Sequence, residues 1–181
     1  MTAADRSCYY SGMVREILTL GSEELARTAV PVGSFDSALA ELIKDMFETL
    51  DANPGIGLAA PQIGVNLRLF VIKLDDGIPR VFINPEITAT SAERSMYEEG
   101  CLSIPGLWAD VSRPKAVSVF AYDAKGRPFN LDAEGLLARC IQHEYDHLDG
   151  KLFIDRLSPH KREGAVRQYE KISRQSRRKK H

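Results

Sequence analysis

Apolar residues recur at steps of three and four across positions 35–50: Phe35, Leu39, Leu42, Ile43, Met46, Phe47 and Leu50. That spacing places a stripe on one face of a helix. It predicts a helix over 35–50 with its apolar face in the core, capped by Ser34 or Asp36 and stopped by Asn53-Pro54-Gly55. Ahead of it, residues 22–27 are polar with no strong period. Behind it the pattern shortens to strands. Residues 67–73 are mostly apolar and end at the turn Asp75-Asp76-Gly77. A second strand over 80–84 is expected to stop at Pro85; residues 87–97 hold one or two more, and 116–122 another. Asp123-Ala124-Lys125-Gly126 reads as a hairpin turn into 128–131.

A second helix is predicted next, with Asp132 as its cap, an apolar stripe of Leu136, Leu137, Ile141 and Leu148, and Gly150 as its stop. A last amphipathic helix starts near Pro159 and runs through Val166, Tyr169 and Ile172 into a basic tail. Strands joined by tight turns favour antiparallel or mixed β-sheets with helices packed on them, an α+β fold in which the 132–150 helix is central and a helix closes the C-terminus. The organisation expected is an N-terminal extension over 1–12, one body over 13–158, and a basic C-terminal helix or tail over 159–181. Met13 is a plausible alternative start, because the patterned chain begins just after it. No repeat and no low-complexity linker interrupts the body.

Composition changes the picture in one respect. With 181 residues and 44% hydrophobic content, one core is expected. The net charge is only −1, but from His160 onward nine Lys/Arg face two acidic residues, which leaves the body at −8. An acidic body with a basic tail suits docking of the tail on a polyanion such as RNA, set against the alternative of a solvated, frayed terminus. Three widely spaced cysteines do not read as a disulfide framework and fit a reducing compartment. No run is long enough to span a membrane, and the first residues lack the apolar core of a signal peptide. A cytoplasmic protein is expected, with neither membrane nor sequence-specific DNA as partner.

The chemistry concentrates in the second helix, at Gln142-His143-Glu144-Tyr145-Asp146-His147. Residues four apart on a helix share a face, about 6 Å along the axis. Two imidazoles so placed can converge on one metal ion, and the Glu between them suits a general base acting on metal-bound water. A catalytic site of this kind takes three protein ligands. The continuation His-x-x-Gly-x-x-His fails, since Phe153 stands where the last His would fall. Two sources stay open: Glu163 downstream, or a thiolate from elsewhere. Cys140 lies on the same face but seven residues from His147, roughly 10 Å along the axis, and a thiolate binds zinc at about 2.3 Å. Cys140 is therefore expected beside the metal, lining a pocket. Cys101 lies in a sharply shaped loop between Gly100 and Pro105, although a lone Cys is often just a small buried hydrophobe. Asp149 and Asp155 read as capping or surface residues.

Gly55-Ile56-Gly57-Leu58-Ala59-Ala60 matches the G-x-G-x-x-[G/A] dinucleotide fingerprint, but that motif needs a strand before it and a helix after it. Here a helix precedes, and Pro61 disfavours helix at Ala60. The glycines instead let bare backbone approach a ligand or another strand. Gln62, at the loop end, can donate a hydrogen bond to a substrate oxygen.

Three stretches, residues 55–62, Glu99-Gly100-Cys101-Leu102-Ser103 and residues 142–147, resemble in order and spacing the three motifs of the peptide deformylase family. The likeness runs from about residue 13 to 158, and the tail is similar to the bacterial type. The resemblance implies removal of the formyl group from the N-terminal formyl-methionine of nascent polypeptides, with release of formate. It implies Cys101 as third ligand beside His143 and His147, in preference to Glu163. Glu144 then acts on water, and the Gln62 amide and the Leu102 backbone N–H are donors to the developing oxyanion. It also implies backbone contacts from Gly57 to the peptide, and a methionine pocket walled by Ile56, Cys140 and Ile141. Trp108 follows the Cys loop where family members vary, and it is read as bordering the groove in preference to packing in the core. The cofactor implied is one divalent ion, Fe2+ in the cell, with Zn2+, Ni2+ or Co2+ as substitutes. Ribosome docking through the basic tail is the partner expectation. Leu50 stands where Met is common, a change confined to the helix core.

Overall fold

The computed structural model describes residues 13–179, so the expectation for residues 1–12 lies outside the described residues. The chain folds as α+β. Helix α1 spans Ser37–Asp51, strand β1 Gly57–Ala59, β2 Leu69–Lys73, β3 Pro79–Thr90, β4 Arg94–Gly100, β5 Trp108–Pro114, β6 Ala116–Tyr122 and β7 Pro128–Glu134. Helix α2 spans Gly135–Leu148 and α3 Pro159–Lys179. Five strands form one antiparallel sheet in the order β1-β2-β3-β6-β7, and β4 pairs with β5 in a separate two-stranded ribbon.

The β2 strand shows why the sheet lies where it does. Its run Leu69-Phe70-Val71-Ile72 is buried throughout. Successive side chains leave opposite faces of a strand. Phe70 and Ile72 pack with Ala138, Cys140, Ile141 and Leu148 of α2, while Leu69 and Val71 pack with Leu39, Ile43, Met46 and Leu50 of α1. The sheet is thus a layer between two helices, and α2 lies on its inner face. Phe70 stacks on Phe82 with centroids 4.8 Å apart. A third cluster joins Ile104, Leu107 and Val111 to Phe153, Ile154, Ala165 and Tyr169, which docks α3 on the body.

Several expectations need correction. Of the two caps expected for α1 it is Asp36 that serves, its carboxylate accepting the Leu39 N–H at 3.0 Å. Phe35 therefore precedes the helix; it is exposed and rests on Tyr122 instead of joining the stripe. β3 does not stop at Pro85. It runs on through a register shift between Ile83 and Glu86, and such an irregularity is where a strand tolerates a residue without an N–H. Asp132 does not cap α2, because β7 continues to Glu134 and Asp132 accepts from the Ser118 hydroxyl across the hairpin. Leu136 is exposed, so the buried face of α2 is carried by Ala138, Cys140, Ile141, Glu144, His147 and Leu148. Gly150 ends α2 as expected, at φ +68°, and an added Cβ there would stand 2.5 Å from the Ala26 carbonyl oxygen. β5 has no counterpart among the predicted strands.

The polar segment before α1 runs mostly as irregular backbone and ties the motifs together. Leu18 N–H donates to the Gln62 carbonyl at 2.7 Å, Leu20 N–H to Ser103 at 2.8 Å and Ala29 N–H to Leu148 at 2.8 Å.

Candidate functional site

Helix α2 carries His143 and His147 one turn apart, their rings 5.3 Å centroid to centroid. The loop after β4 brings Cys101 to them from the other side. Its Sγ lies 3.3 Å from His147 Nε2, and donor atoms of Cys101, His143 and His147 all fall within 4.8 Å of one another. His143 Nδ1 is bonded to Glu99 Oε2 at 2.9 Å, which leaves Nε2 for the Cys101 side. Carboxylate support at the far ring nitrogen is the arrangement that orients metal-binding imidazoles. A thiolate with two imidazoles is a donor set for borderline and soft divalent ions, so the residues present fit a metal ion. Phe153, at the position that ruled out a third histidine, stacks on His143 at 6.2 Å.

Gln62 sits on the 3₁₀ turn Ala60–Ile63 and is buried. Its Oε1 accepts the Ala59 N–H at 2.8 Å, which turns the amide nitrogen toward Ser103 Oγ at 3.2 Å and Cys101 Sγ at 3.5 Å. Gly57, on the edge strand β1, faces α2 so closely that a Cβ would collide with Glu144 Oε1 and lie 2.8 Å from Cys140 Sγ. A cleft of about 630 Å³ opens over these groups. Its walls include Ile56, Gly57, Leu102, Trp108, Cys140 and Glu144.

Burial dominates the protonation of the site. It pushes the Glu144 carboxyl up to about 7, against the pull of His143 and Arg113. Glu144 Oε2 is buried without a hydrogen-bond partner, and so is His147 Nδ1. Native proteins leave few such groups, and a reacting or ligand-binding role is one reason for them. Burial, followed by repulsion from His143, drives the His147 pKa well down. Burial also acts against charge on His143, but bonds to Cys101 and Glu99 outweigh it and raise that pKa to about 10. The Glu99 carboxyl is held far below the usual carboxylate range: burial opposes this, and His143 and Arg113 overcome it. The Cys140 thiol is pushed up by burial and by Glu144.

The structure thus brings Cys101, His143, His147, Glu144, Gln62, Gly57, Ile56, Leu102, Cys140 and Trp108 to one cleft or its floor. Ile141 is fully buried in the core between α2 and the sheet and is not among the residues lining the cleft. Glu163 lies exposed on α3, paired with Arg167 at 3.5 Å, and takes no part in the cluster. Sequence reasoning passed over a buried ion network behind the site. Glu99 binds Arg113 at 2.7 Å and Arg139 at 2.8 Å, Arg113 binds Asp146 at 2.8 Å, and Asp146 also binds Arg156. The one available signal was position: Glu99 and Asp146 lie within the quoted motifs, beside the ligands.

A His-Glu-x-x-His helix with a buried Glu, facing a thiol at the floor of a peptide-sized cleft in an α+β fold, defines the class as a hydrolase. Comparison with known proteins narrows it. The family model described as polypeptide deformylase matches residues 14–163. A peptide deformylase of Azotobacter vinelandii is 52% identical over 161 residues, covering 88% of this chain and 96% of its own. The crystal structure of a peptide deformylase from Legionella pneumophila superposes with a TM-score of 0.86 at 49% identity, covering 91% of this chain and 98% of its own. That of a Synechococcus elongatus peptide deformylase in complex with actinonin gives a TM-score of 0.82 at 43% identity, covering 87% and 89%. The chain belongs to the polypeptide deformylase family. It is accordingly an enzyme, of a metal-dependent family that acts on formylmethionyl peptides.

Proposed function

We propose that the chain hydrolyses the N-formyl amide of formyl-methionine at the start of nascent polypeptides, using a divalent ion held by Cys101, His143 and His147. The observation that carries this reading is the convergence of those three donors within 4.8 Å, beside a buried, unpartnered oxygen of Glu144. When bound, the ion supplies Lewis acidity toward the formyl oxygen and makes water more acidic. Fe2+ is the ion expected in the cell, and Zn2+, Ni2+ or Co2+ can substitute within the same donor set.

The protein's own groups do the rest. Glu144, in a setting that favours a shared proton, takes one from water at Oε2 as the water oxygen bonds to the formyl carbon, and returns it to the amine nitrogen as the C–N bond breaks. Formate and a free amino terminus result. Gln62 Nε2 and the Leu102 N–H donate to the formyl oxygen as charge develops on it. Gln62 is suited to this because its other end is pinned to Ala59. Gly57 lets peptide backbone lie against β1, and Ile56 and Cys140 wall the methionine side chain, with Ile141 behind them as packed core. Trp108, 62% exposed, borders the groove for the following residues. The basic run on α3 docks the enzyme on the polyanionic ribosome in the cytoplasm, where its substrates emerge.

Elemental analysis together with a formate-release assay on a formyl-Met tripeptide tests the core of this reading. The expected result is one ion per chain, lost with activity in Cys101→Ala and kept in Glu163→Gln. Full metal content and activity in Cys101→Ala would sink it.

A further inference from the structure

A chain neighbour of each of the three candidate ligands is held by one guanidinium. Arg113 lies on the inward register of β5 and is 3% exposed. Its Nε and Nη2 donate to the two oxygens of Glu99 at 2.7 and 2.9 Å. Its Nη1 donates to Asp146 Oδ2 at 2.8 Å and to the Gln142 carbonyl at 3.4 Å. Glu99 stands two residues before Cys101; Gln142 and Asp146 immediately precede His143 and His147. We propose that Arg113 is a positioning residue: its planar fork fixes the gap between the Cys101 loop and α2, and so holds the thiol and both imidazoles at ion-binding spacing before an ion arrives.

A buried ion pair kept only for stability is a weak bargain, because desolvation offsets much of its attraction. What a guanidinium adds is shape. Its donors lie in one plane and can engage two carboxylates at fixed angles, which a lysine ammonium cannot reproduce. The two ends of the clasp are also braced separately. Arg139 holds Glu99 at 2.8 Å and reaches the Val111 carbonyl at 2.8 Å, while Arg156 Nε holds Asp146 at 3.0 Å. Arg113→Lys therefore leaves each carboxylate with an arginine and removes the bridge between them together with the bond to the Gln142 carbonyl. Support of this kind around metal-binding residues changes metal affinity by about 10- to 100-fold.

The inference rests on the metal reading, and its test separates the two. Metal-free parent, Arg113→Lys, Asp146→Asn and a control, Ile83→Val, are titrated with Co2+ against a chromophoric chelator, and the cobalt spectrum is recorded alongside Tm. Ile83 is buried in the sheet among residues packed on α1, away from the clasp, so the control lowers stability alone. Arg113→Lys is expected to weaken Co2+ binding about 10- to 100-fold and to shift the d–d bands. Asp146→Asn, which removes one arm of the clasp, shifts both in the same direction and by less. Ile83→Val lowers Tm and leaves Kd and spectrum unchanged. Parent-like Kd and bands in folded Arg113→Lys overturn the proposal; should that variant not fold, parent-like values in Asp146→Asn overturn it. A parent that shows no thiolate-to-cobalt charge-transfer band defeats the metal reading itself.

Discussion

Glu144 is where the chemistry can be isolated to a few atoms. Glu144→Gln keeps the shape and all three donors but cannot carry a proton. Formate release is expected to fall by about 10²- to 10⁴-fold with the ion still bound, measured as kcat beside metal content. Loss of the ion together with activity would assign Glu144 to the ligand set instead. Burial first of all raises this carboxyl to about 7 without an ion, and a bound cation favours the charged form and lowers it. In the proposed role Glu144 must be deprotonated to act, so the acid limb of kcat/KM should fall below pH 7 and vanish in Glu144→Gln; an unchanged limb in the variant would assign that limb to another group. Gly57 tests the same carboxylate from across the cleft. A methyl at 57 collides with Glu144 Oε1 and presses on Cys140 Sγ. Gly57→Ala should therefore cost about 100-fold in kcat/KM while the fold persists by circular dichroism, and near-normal turnover would show that Glu144 yields freely. His143, Glu144 and His147 were legible because their spacing on one helix is itself the chemistry. Cys101 was legible only through family resemblance. Glu99, Arg113 and Asp146 were not, because charged residues far apart in sequence look like solvated surface until the fold brings them together.

At the level of elements, period-based reading worked where polar and apolar positions separate cleanly and failed where a charge points inward. β5 alternates Trp108, Asp110 and Ser112 outward with Ala109, Val111 and Arg113 inward. The buried Arg113 breaks the hydrophobic register, so the strand is invisible to a pattern search although it carries half the ribbon. The segment before α1 was unreadable for another reason: its role lies in backbone bonds to Gln62, Ser103 and Leu148, which no side-chain pattern encodes. Its anchor is Asp45 on α1, 6% exposed. Asp45 accepts the Met13 N–H at 2.7 Å and Arg15 Nε at 2.8 Å, while Arg15 N–H reaches Thr49 at 2.9 Å. Asp45→Asn should lower the urea-unfolding free energy by about 1–2 kcal/mol, toward the low end for bonds to a charged group because Arg15 is 41% exposed. Burial tends to raise the Asp45 pKa, yet the Met13 N–H and Arg15 outweigh it and the value is lowered. A depressed folded pKa stabilises fully above the unfolded value, about 3.9, and the benefit disappears as pH falls through the folded one. Parent and variant should therefore differ at neutral pH and converge in acid. A gap that stays constant down to low pH would mean that the charge is not what anchors the segment.

Over the whole molecule, charge separates from catalysis along α3. Its first half is fastened: Ala165 and Tyr169 are buried in the third cluster, and Ile172 lies 3.4 Å from where a Gly106 Cβ would stand. Beyond Ser173 the sequence adds Arg174, Arg177, Arg178, Lys179 and Lys180 with no acid, opposite a body of net negative charge. Among the described residues no helix is long and apolar enough to cross a membrane. A truncation after Ser173 leaves the packed turns in place and removes only the cationic end. Turnover of a short formyl peptide should stay at the parental rate, because among the described residues none of α3 lines the cleft. Co-sedimentation with ribosomes should drop sharply. The dependence of log K on log salt should become shallower, since each phosphate contact adds a slope of about −0.9 on duplex and −0.7 on single-stranded nucleic acid. Undiminished co-sedimentation with an unchanged slope would place ribosome contact elsewhere on the acidic body and return the tail to a solvated terminus. Loss of peptide turnover would instead show that the cationic end supports α2, and the division between a catalytic body and a docking helix would then fail.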